Sequence, residues 1–197
     1  MKMAMALAND YDADLPVVQA LQQGDPYALD ELMRRHGGWV RSVVYGVLGD
    51  PDRVDDVCQQ TWTAVWEQIR HLREPTRWKS WVYRLSRNAA IDAGREKTRA
   101  KRAVQQLAEA ALAERVPFGP PNPARPDQEL SDKERADAIR SAIRGLPAIY
   151  REPFALRHLE GWSYAQIART MELPVDTVET RLVRARRLLR ETLSGKV

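Results

Sequence analysis

The sequence predicts an all-α chain arranged as two small helical domains, and three observations carry that reading. Apolar residues recur at intervals of three and four, the period of a helix with one buried face. Strand signals are nearly absent: glycine is sparse, alternation is weak, and there is no Asn-Gly or Asp-Gly hairpin. A stretch with five prolines (Pro117, Pro120, Pro121, Pro123 and Pro126) interrupts the periodicity and reads as an extended interdomain linker.

The elements follow in order. Helices are expected over 14–23, 26–48, 52–70 and 77–102. Gly24-Asp25-Pro26 punctuates the first pair, with Asp25 as N-cap and Pro26 in the first helical position. Gly49-Asp50-Pro51 repeats the device. Between the third and fourth helices Pro75 acts as the stop and Thr76 as the cap. Residues 103–114 are alanine-rich and able to extend the fourth helix. Beyond the prolines, helices are expected over 131–145, 147–159, 163–171 and 174–193. The expected organisation is therefore a domain over 12–102, a linker over 103–127 and a second domain over 128–195.

Bulk properties narrow the class. With 197 residues and 44% hydrophobic content, the chain can bury real cores and is not globally disordered. The net charge is only +4, but it is unevenly spread. Six acids and one lysine occupy the stretch from Met1 to Glu31, whereas basic residues gather after Arg70 and again after Arg181. Clustered arginines suit a nucleic acid, although a membrane surface would attract the same charge. Cys58 is the only cysteine, which rules out an intrachain disulfide, argues against a thiolate metal site and fits a reducing compartment. Its expected role is that of a small core residue. The start turns acidic too soon for a signal peptide, and no apolar run approaches a membrane span. A cytoplasmic protein that does not engage membranes is the expectation.

The stretch Trp78–Arg102 is the most informative. It holds eight Lys/Arg against two acids, Asp92 and Glu96. At helical spacing Trp78, Val82, Leu85 and Ala89 share an apolar face, and Arg84, Arg87, Asn88, Ile91 and Arg95 share a largely basic one. Arginines with an amide can grip phosphates and offer stacking or hydrogen-bonding partners to unstacked bases. Further on, Gly161 to Arg190 has the spacing of a helix-turn-helix. Ser163 caps a short helix, a turn follows at Met171–Leu173, and Pro174 opens the second helix. On that helix Val178, Leu182, Ala185 and Leu189 form the buried stripe, leaving Thr180, Val183, Arg184 and Arg187 on the opposite arc, with Glu179 and Arg186 beside it. The start of such a helix reads base edges in the major groove while flanking arginines hold phosphates.

Taken together, these motifs resemble the extracytoplasmic-function (ECF) branch of the bacterial RNA polymerase sigma factor family. Asp55-Asp-Val-Cys-Gln-Gln-Thr-Trp62 matches an acid-acid-x-x-Gln-Glu-x-aromatic pattern. Trp81-Val-Tyr-Arg-Leu-Ser-Arg-Asn-Ala-Ala-Ile-Asp-Ala-Gly-Arg95 matches the aromatic-basic pattern that follows it, and the helix after Leu173-Pro174 looks like the family's fourth region. The resemblance implies a region-2-like four-helix domain, a Pro-rich linker and a region-4-like helix-turn-helix domain. It implies that Asp55, Asp56, Gln59 and Gln60 meet core polymerase, Gln60 standing where relatives usually carry glutamate. It implies that Leu72, Arg73, Thr76, Lys79, Arg84, Arg87 and Asn88 face the −10 element, with Asn88 in the pocket that takes a flipped base. It places Asp176, Thr177, Glu179, Thr180, Val183, Arg184 and Arg187 at the −35 element. Glu172 and Asp176 replace family glycines, and Glu179 stands where many relatives are basic, which is expected to change the preferred −35 sequence. Trp62 and Trp66 are expected in the core, and Asp92 is expected to pair with Arg95 or a neighbour.

The resemblance implies three partners: core RNA polymerase, promoter DNA (duplex and melted non-template strand), and the anti-sigma protein that often holds such factors, although nothing in this chain identifies one. The alternative is a stand-alone helix-turn-helix regulator, for which an acidic helix followed by an aromatic-basic one has no use. Catalysis is not expected. His36, His71 and His158 are scattered, and there is no nucleophile–base pair, metal-ligand spacing or phosphate loop, so neither cofactor nor metal is called for. The sequence leaves two arrangements open: the halves stand apart, or they pack together and mask the DNA surfaces.

Overall fold

The protein was analysed as a computed structural model that describes residues 13–112 and 132–194. The expected start at residue 12, the whole proline-rich segment and the helix start at Ser131 lie outside the described residues. Eight α-helices are present among the described residues, with no strand: α1 (Leu15–Gln22), α2 (Pro26–Leu48), α3 (Val54–Gln68), α4 (Trp78–Leu112), α5 (Asp132–Gly145), α6 (Ala148–His158), α7 (Tyr164–Met171) and α8 (Val175–Ser194).

Local chemistry sets the boundaries much as expected. The Asp25 side chain accepts from the Tyr27 amide at 2.9 Å, Pro26 occupies the first turn of α2, and Gly49 ends that helix in the left-handed region at φ 63°. Ser163 and Gln166 close a reciprocal capping box on α7. Four boundaries differ from expectation. The third helix is shorter than 52–70, because 3₁₀ turns at Pro51–Arg53 and Ile69–His71 take its ends. Thr76 does not cap α4; it lies inside a 3₁₀ turn, Pro75–Arg77, that runs straight into the helix. Nor does α4 stop at residue 102: it continues to Leu112, using the alanine-rich segment.

The two halves pack together. One apolar cluster joins Val18, Leu32, Trp39, Val43, Trp62 and Trp78 to Leu156, Ile167, Val178 and Leu182 of the C-terminal half. Burying side chains of this size stabilises by about 1.5–3 kcal/mol each. The Trp39 and Trp162 rings meet across the seam with centroids 5.6 Å apart. A smaller cluster of Val44, Val54, Val57, Ala90 and Ala93 fixes α4 against α2 and α3.

Where α2 meets α6 the approach is closest. A Cβ placed on Gly46 would lie 2.8 Å from the Glu152 Cα, so only glycine fits there. The buried Arg151 guanidinium donates to the Gly46 carbonyl at 2.8 Å, Val47 at 2.9 Å and Leu146 at 3.0 Å. The Gly46 and Val47 bonds satisfy carbonyls that the C-terminus of α2 leaves without helical partners.

Candidate polymerase and nucleic-acid interfaces

On α3 the acidic first turn stays exposed. Asp55, Asp56, Gln59 and Gln60 all face solvent, while Val54, Val57, Thr61, Trp62 and Val65 turn inward. Asp55 pairs with Arg41 of α2, and the Arg41 hydrogen bond holds its carboxyl below the usual carboxylate range. Beside this pair runs an apolar groove of about 730 Å³ between α2 and α3, lined by Leu29, Met33, Gly38, Cys58, Trp62 and Trp66. The groove was not read from the sequence. Its one local signal was Gly37, where an added Cβ would meet nothing within 4 Å, whereas one on Gly38 would meet the Glu160 carboxylate. Trp62 is buried as expected; Trp66 is only half-buried and serves the groove wall. Cys58 is half-buried there, and burial pushes its thiol up to about 11.

The basic face of α4 is built as expected for Arg84, Arg87 and Asn88, which line one cleft of about 350 Å³. The opposite wall comes from the C-terminal half: Glu152, Met171, Glu172 and Arg181. Arg84 donates to both Glu172 oxygens at 2.9 and 3.0 Å. Arg87 reaches Glu152 at 3.2 Å, and the Tyr83 hydroxyl donates to the same carboxylate at 2.7 Å. Burial, with the Glu152 charge next, raises the Tyr83 hydroxyl far above its ordinary value. Glu172 holds φ 55° at the C-cap of α7, a strain of roughly 1 kcal/mol. Its half-exposed pair with Arg84 returns about 0–1 kcal/mol, so the two nearly cancel.

Lys79 departs from expectation. It is 5% exposed and its ammonium lies 3.4 Å from Asp14, a placement that withdraws it from any open phosphate. Burial pushes the Asp14 carboxyl up, but His36, Lys79 and Arg35 outweigh it and leave the group below its ordinary range. Leu72, Arg73 and Thr76 lie on the segment before α4, away from the cleft lining. The Leu72 carbonyl accepts from Gln22 at 2.8 Å, which ties that segment to α1. Asp92 pairs with Arg95 at 3.4 Å, as expected.

On α8, Val178, Leu182 and Ala185 are buried and Leu189 half-buried, which leaves the expected outer arc free. Asp176, Thr177, Thr180 and Arg184 line one concavity of about 320 Å³ together with Ile149, Tyr150 and Arg181. Glu179, Val183 and Arg187 stand exposed beside it, Arg187 facing Glu191 at 3.6 Å. Tyr150 is a further residue of this surface, its hydroxyl 3.4 Å from Arg184. Among the described residues no group of carboxylates, histidines or cysteine is arranged to hold a metal, and no helix is long and apolar enough to cross a membrane.

Comparisons with known proteins agree with this layout. Residues 32–100 match the family described as Sigma-70 region 2, and residues 136–189 match Sigma-70, region 4. The chain is 29% identical over 174 residues to the ECF RNA polymerase sigma factor SigE of Mycolicibacterium smegmatis, covering 87% of this chain and 65% of that protein. It is 29% identical over 176 residues to the ECF RNA polymerase sigma-E factor of Haemophilus influenzae, covering 89% and 93% respectively. In fold it resembles CnrH, solved with the cytosolic domain of CnrY (TM-score 0.63, 24% identity, 94% of this chain and 99% of that one). It also resembles the sigma factor RpoE of Bartonella quintana, solved with the anti-sigma factor NepR (TM-score 0.50, 21% identity, 85% and 97%). With both sigma regions matched in order on one chain, and relatives of the same branch aligned along most of its length, the chain belongs to the ECF branch of the RNA polymerase sigma factor family.

Proposed function

We propose that the chain is the promoter-specificity subunit of a bacterial RNA polymerase and works in the cytoplasm. It binds core enzyme, recognises −10 and −35 elements and nucleates strand opening, without catalysis of its own. The observation that carries this reading is the presence on one chain of an acid-edged apolar groove and two separate cationic helix faces. A simple duplex-DNA regulator needs only one of the latter.

Each surface has a role set by its chemistry. The exposed Asp55, Asp56, Gln59 and Gln60, with the apolar groove beside them, suit a basic amphipathic helix of core polymerase. A helical segment of an anti-sigma protein is the competing occupant of the same groove. On α4, Asn88 reads the edge of an unstacked base while Arg84 and Arg87 hold its backbone; stacking and hydrogen bonding of that base offset the cost of unpairing it. Arg73 and Thr76 meet the strand before it. On α8, Thr177, Thr180 and Arg184 reach base edges in the major groove, and Arg187 holds phosphate. Asp176 and Glu179 add carboxylates that reject phosphate and accept from cytosine, which shifts the preferred −35 sequence.

Reconstitution tests this. With purified core enzyme, the protein is expected to give run-off transcripts from a defined set of promoters. Binding to duplex DNA without any binding to core enzyme would point to a stand-alone regulator.

A further inference from the structure

Past Ala93, which closes the smaller apolar cluster, α4 buries no further side chain among the described residues, yet it runs on to Leu112. Helix that adds nothing to a core gains little stability from packing, so its surface chemistry is what remains to be explained. At about 100° per residue, Arg95, Arg99 and Arg102 fall within an arc of about 60° that also holds Arg84 and Asn88. All three arginines are exposed. The acids lie at the near end of this stretch: Asp92 meets Arg95 at 3.4 Å, and Glu96 faces Arg53 at 3.7 Å. From Lys97 to Gln106 the sequence holds no acid, and from Asp92 to Leu112 no aromatic residue.

Resting on the placement of Asn88 at the unpaired −10 base, we propose that Arg95, Arg99 and Arg102 form a phosphate track for the double-stranded DNA immediately upstream of the −10 element. Arginines without aromatic neighbours offer charge and hydrogen bonds to phosphate but no platform on which an unpaired base can stack, so the track suits duplex rather than single strand. From Asn88 to Arg102 the helix rises about 21 Å, the length of roughly six base pairs. The strand from −10 to the start site must be unpaired to template the first bond, so the duplex within that reach lies upstream. Arg95 exchanges its exposed bond to Asp92 for a phosphate at little cost. The track reads no base. It adds affinity that is independent of sequence, and by holding paired DNA it sets the upstream edge of the opening.

Holoenzyme assembled from the full-length protein and core polymerase tests this on two fork templates of one promoter, each with a single-stranded −10 segment and no −35 element. In one, the upstream duplex stops about two base pairs above the −10 element; in the other it continues for about ten. Fluorescence anisotropy over a salt series reads affinity. Wild type is expected to bind the longer fork about tenfold tighter at roughly 0.1 M salt, with a salt slope steeper by about two to three. Arg99→Ala combined with Arg102→Ala is expected to lose most of that advantage and about two units of slope, whatever the upstream sequence, while binding the shorter fork as wild type does. It should also melt with wild type, because both side chains are exposed. Arg99→Lys combined with Arg102→Lys is expected to keep most of the advantage, since an ammonium also neutralises phosphate.

The proposal is overturned if the double alanine variant keeps the wild-type ratio between the forks, which leaves the arc a solvated face. It is overturned equally if both forks weaken alike, which moves these arginines onto polymerase or the single strand. Asn88→Ala on the shorter fork keeps the two readings separable. No loss there removes the −10 assignment and the upstream register of the track with it; a loss there, with an unchanged fork ratio in the arginine variant, removes only the track.

Discussion

The Tyr83 hydroxyl donates to the Glu152 carboxylate across 2.7 Å, joining the aromatic-basic helix of the N-terminal half to the second helix of the C-terminal half. Glu152 is almost wholly buried and has Arg87 as its charged partner at 3.2 Å. A buried carboxylate that loses a donor bears a desolvation cost far larger than the net value of an ordinary hydrogen bond. Tyr83→Phe is therefore expected to lower stability by about 1–3 kcal/mol, as read by denaturant unfolding. Adding Glu152→Leu should recover part of the loss, because the unsatisfied charge leaves with it.

At the acidic end of α3, Asp55 and Asp56 differ in a way that spacing alone does not reveal. Asp55 is engaged by Arg41, whereas Asp56 stands exposed in the same turn. Asp56→Arg is expected to weaken core-polymerase affinity by roughly three- to tenfold, mainly through slower, more salt-sensitive association. The isolated protein should melt as wild type does. Unchanged affinity in surface plasmon resonance would mean that the interface lies elsewhere.

Asn88 is exposed at the α4 cleft, in reach of a base rather than of the core. Asn88→Ala is expected to reduce open-complex formation by about tenfold, as one base-edge interaction is lost, while polymerase binding stays within twofold. Permanganate footprinting of unpaired thymines against a binding titration separates the two effects. Equal loss of both would remove the pocket assignment.

The thiol of Cys58 titrates at about 11, because burial in the groove penalises its thiolate. The sign follows directly: at any pH below that value the group is a thiol, and reactivity rises with pH through and beyond the range of a free cysteine. At pH 8, alkylation by iodoacetamide is expected to be roughly two orders of magnitude slower than for an unhindered cysteine. Mass spectrometry of timed samples reads the rate. Occupancy of the groove by a helix should slow it further.

The helices and their buried stripes were legible in the sequence because they depend on local spacing. The Ser163 cap and the Val178, Leu182, Ala185 stripe need nothing beyond a few neighbouring residues. The basic arc of Arg84, Arg87 and Asn88 was legible for the same reason. Lys79 was not, since its partner Asp14 stands just ahead of α1, far away in the chain, and no local pattern announces it. Thr76 misled because a 3₁₀ turn can lead into a helix without a side-chain cap. The ion pairs of Arg84 with Glu172 and Arg87 with Glu152 join residues 88 and 65 positions apart. They depend on how the halves dock, which spacing within either half does not encode. The groove beside α3 likewise arises from two helices facing each other across glycines.

The most direct test of the account is capture of core RNA polymerase from the host by the full-length protein, followed by run-off transcription on promoter-containing genomic fragments. Stoichiometric binding with new, protein-dependent start sites sharing −10 and −35 elements is the expected result. Duplex DNA binding with no capture of core enzyme and no new start sites would contradict it.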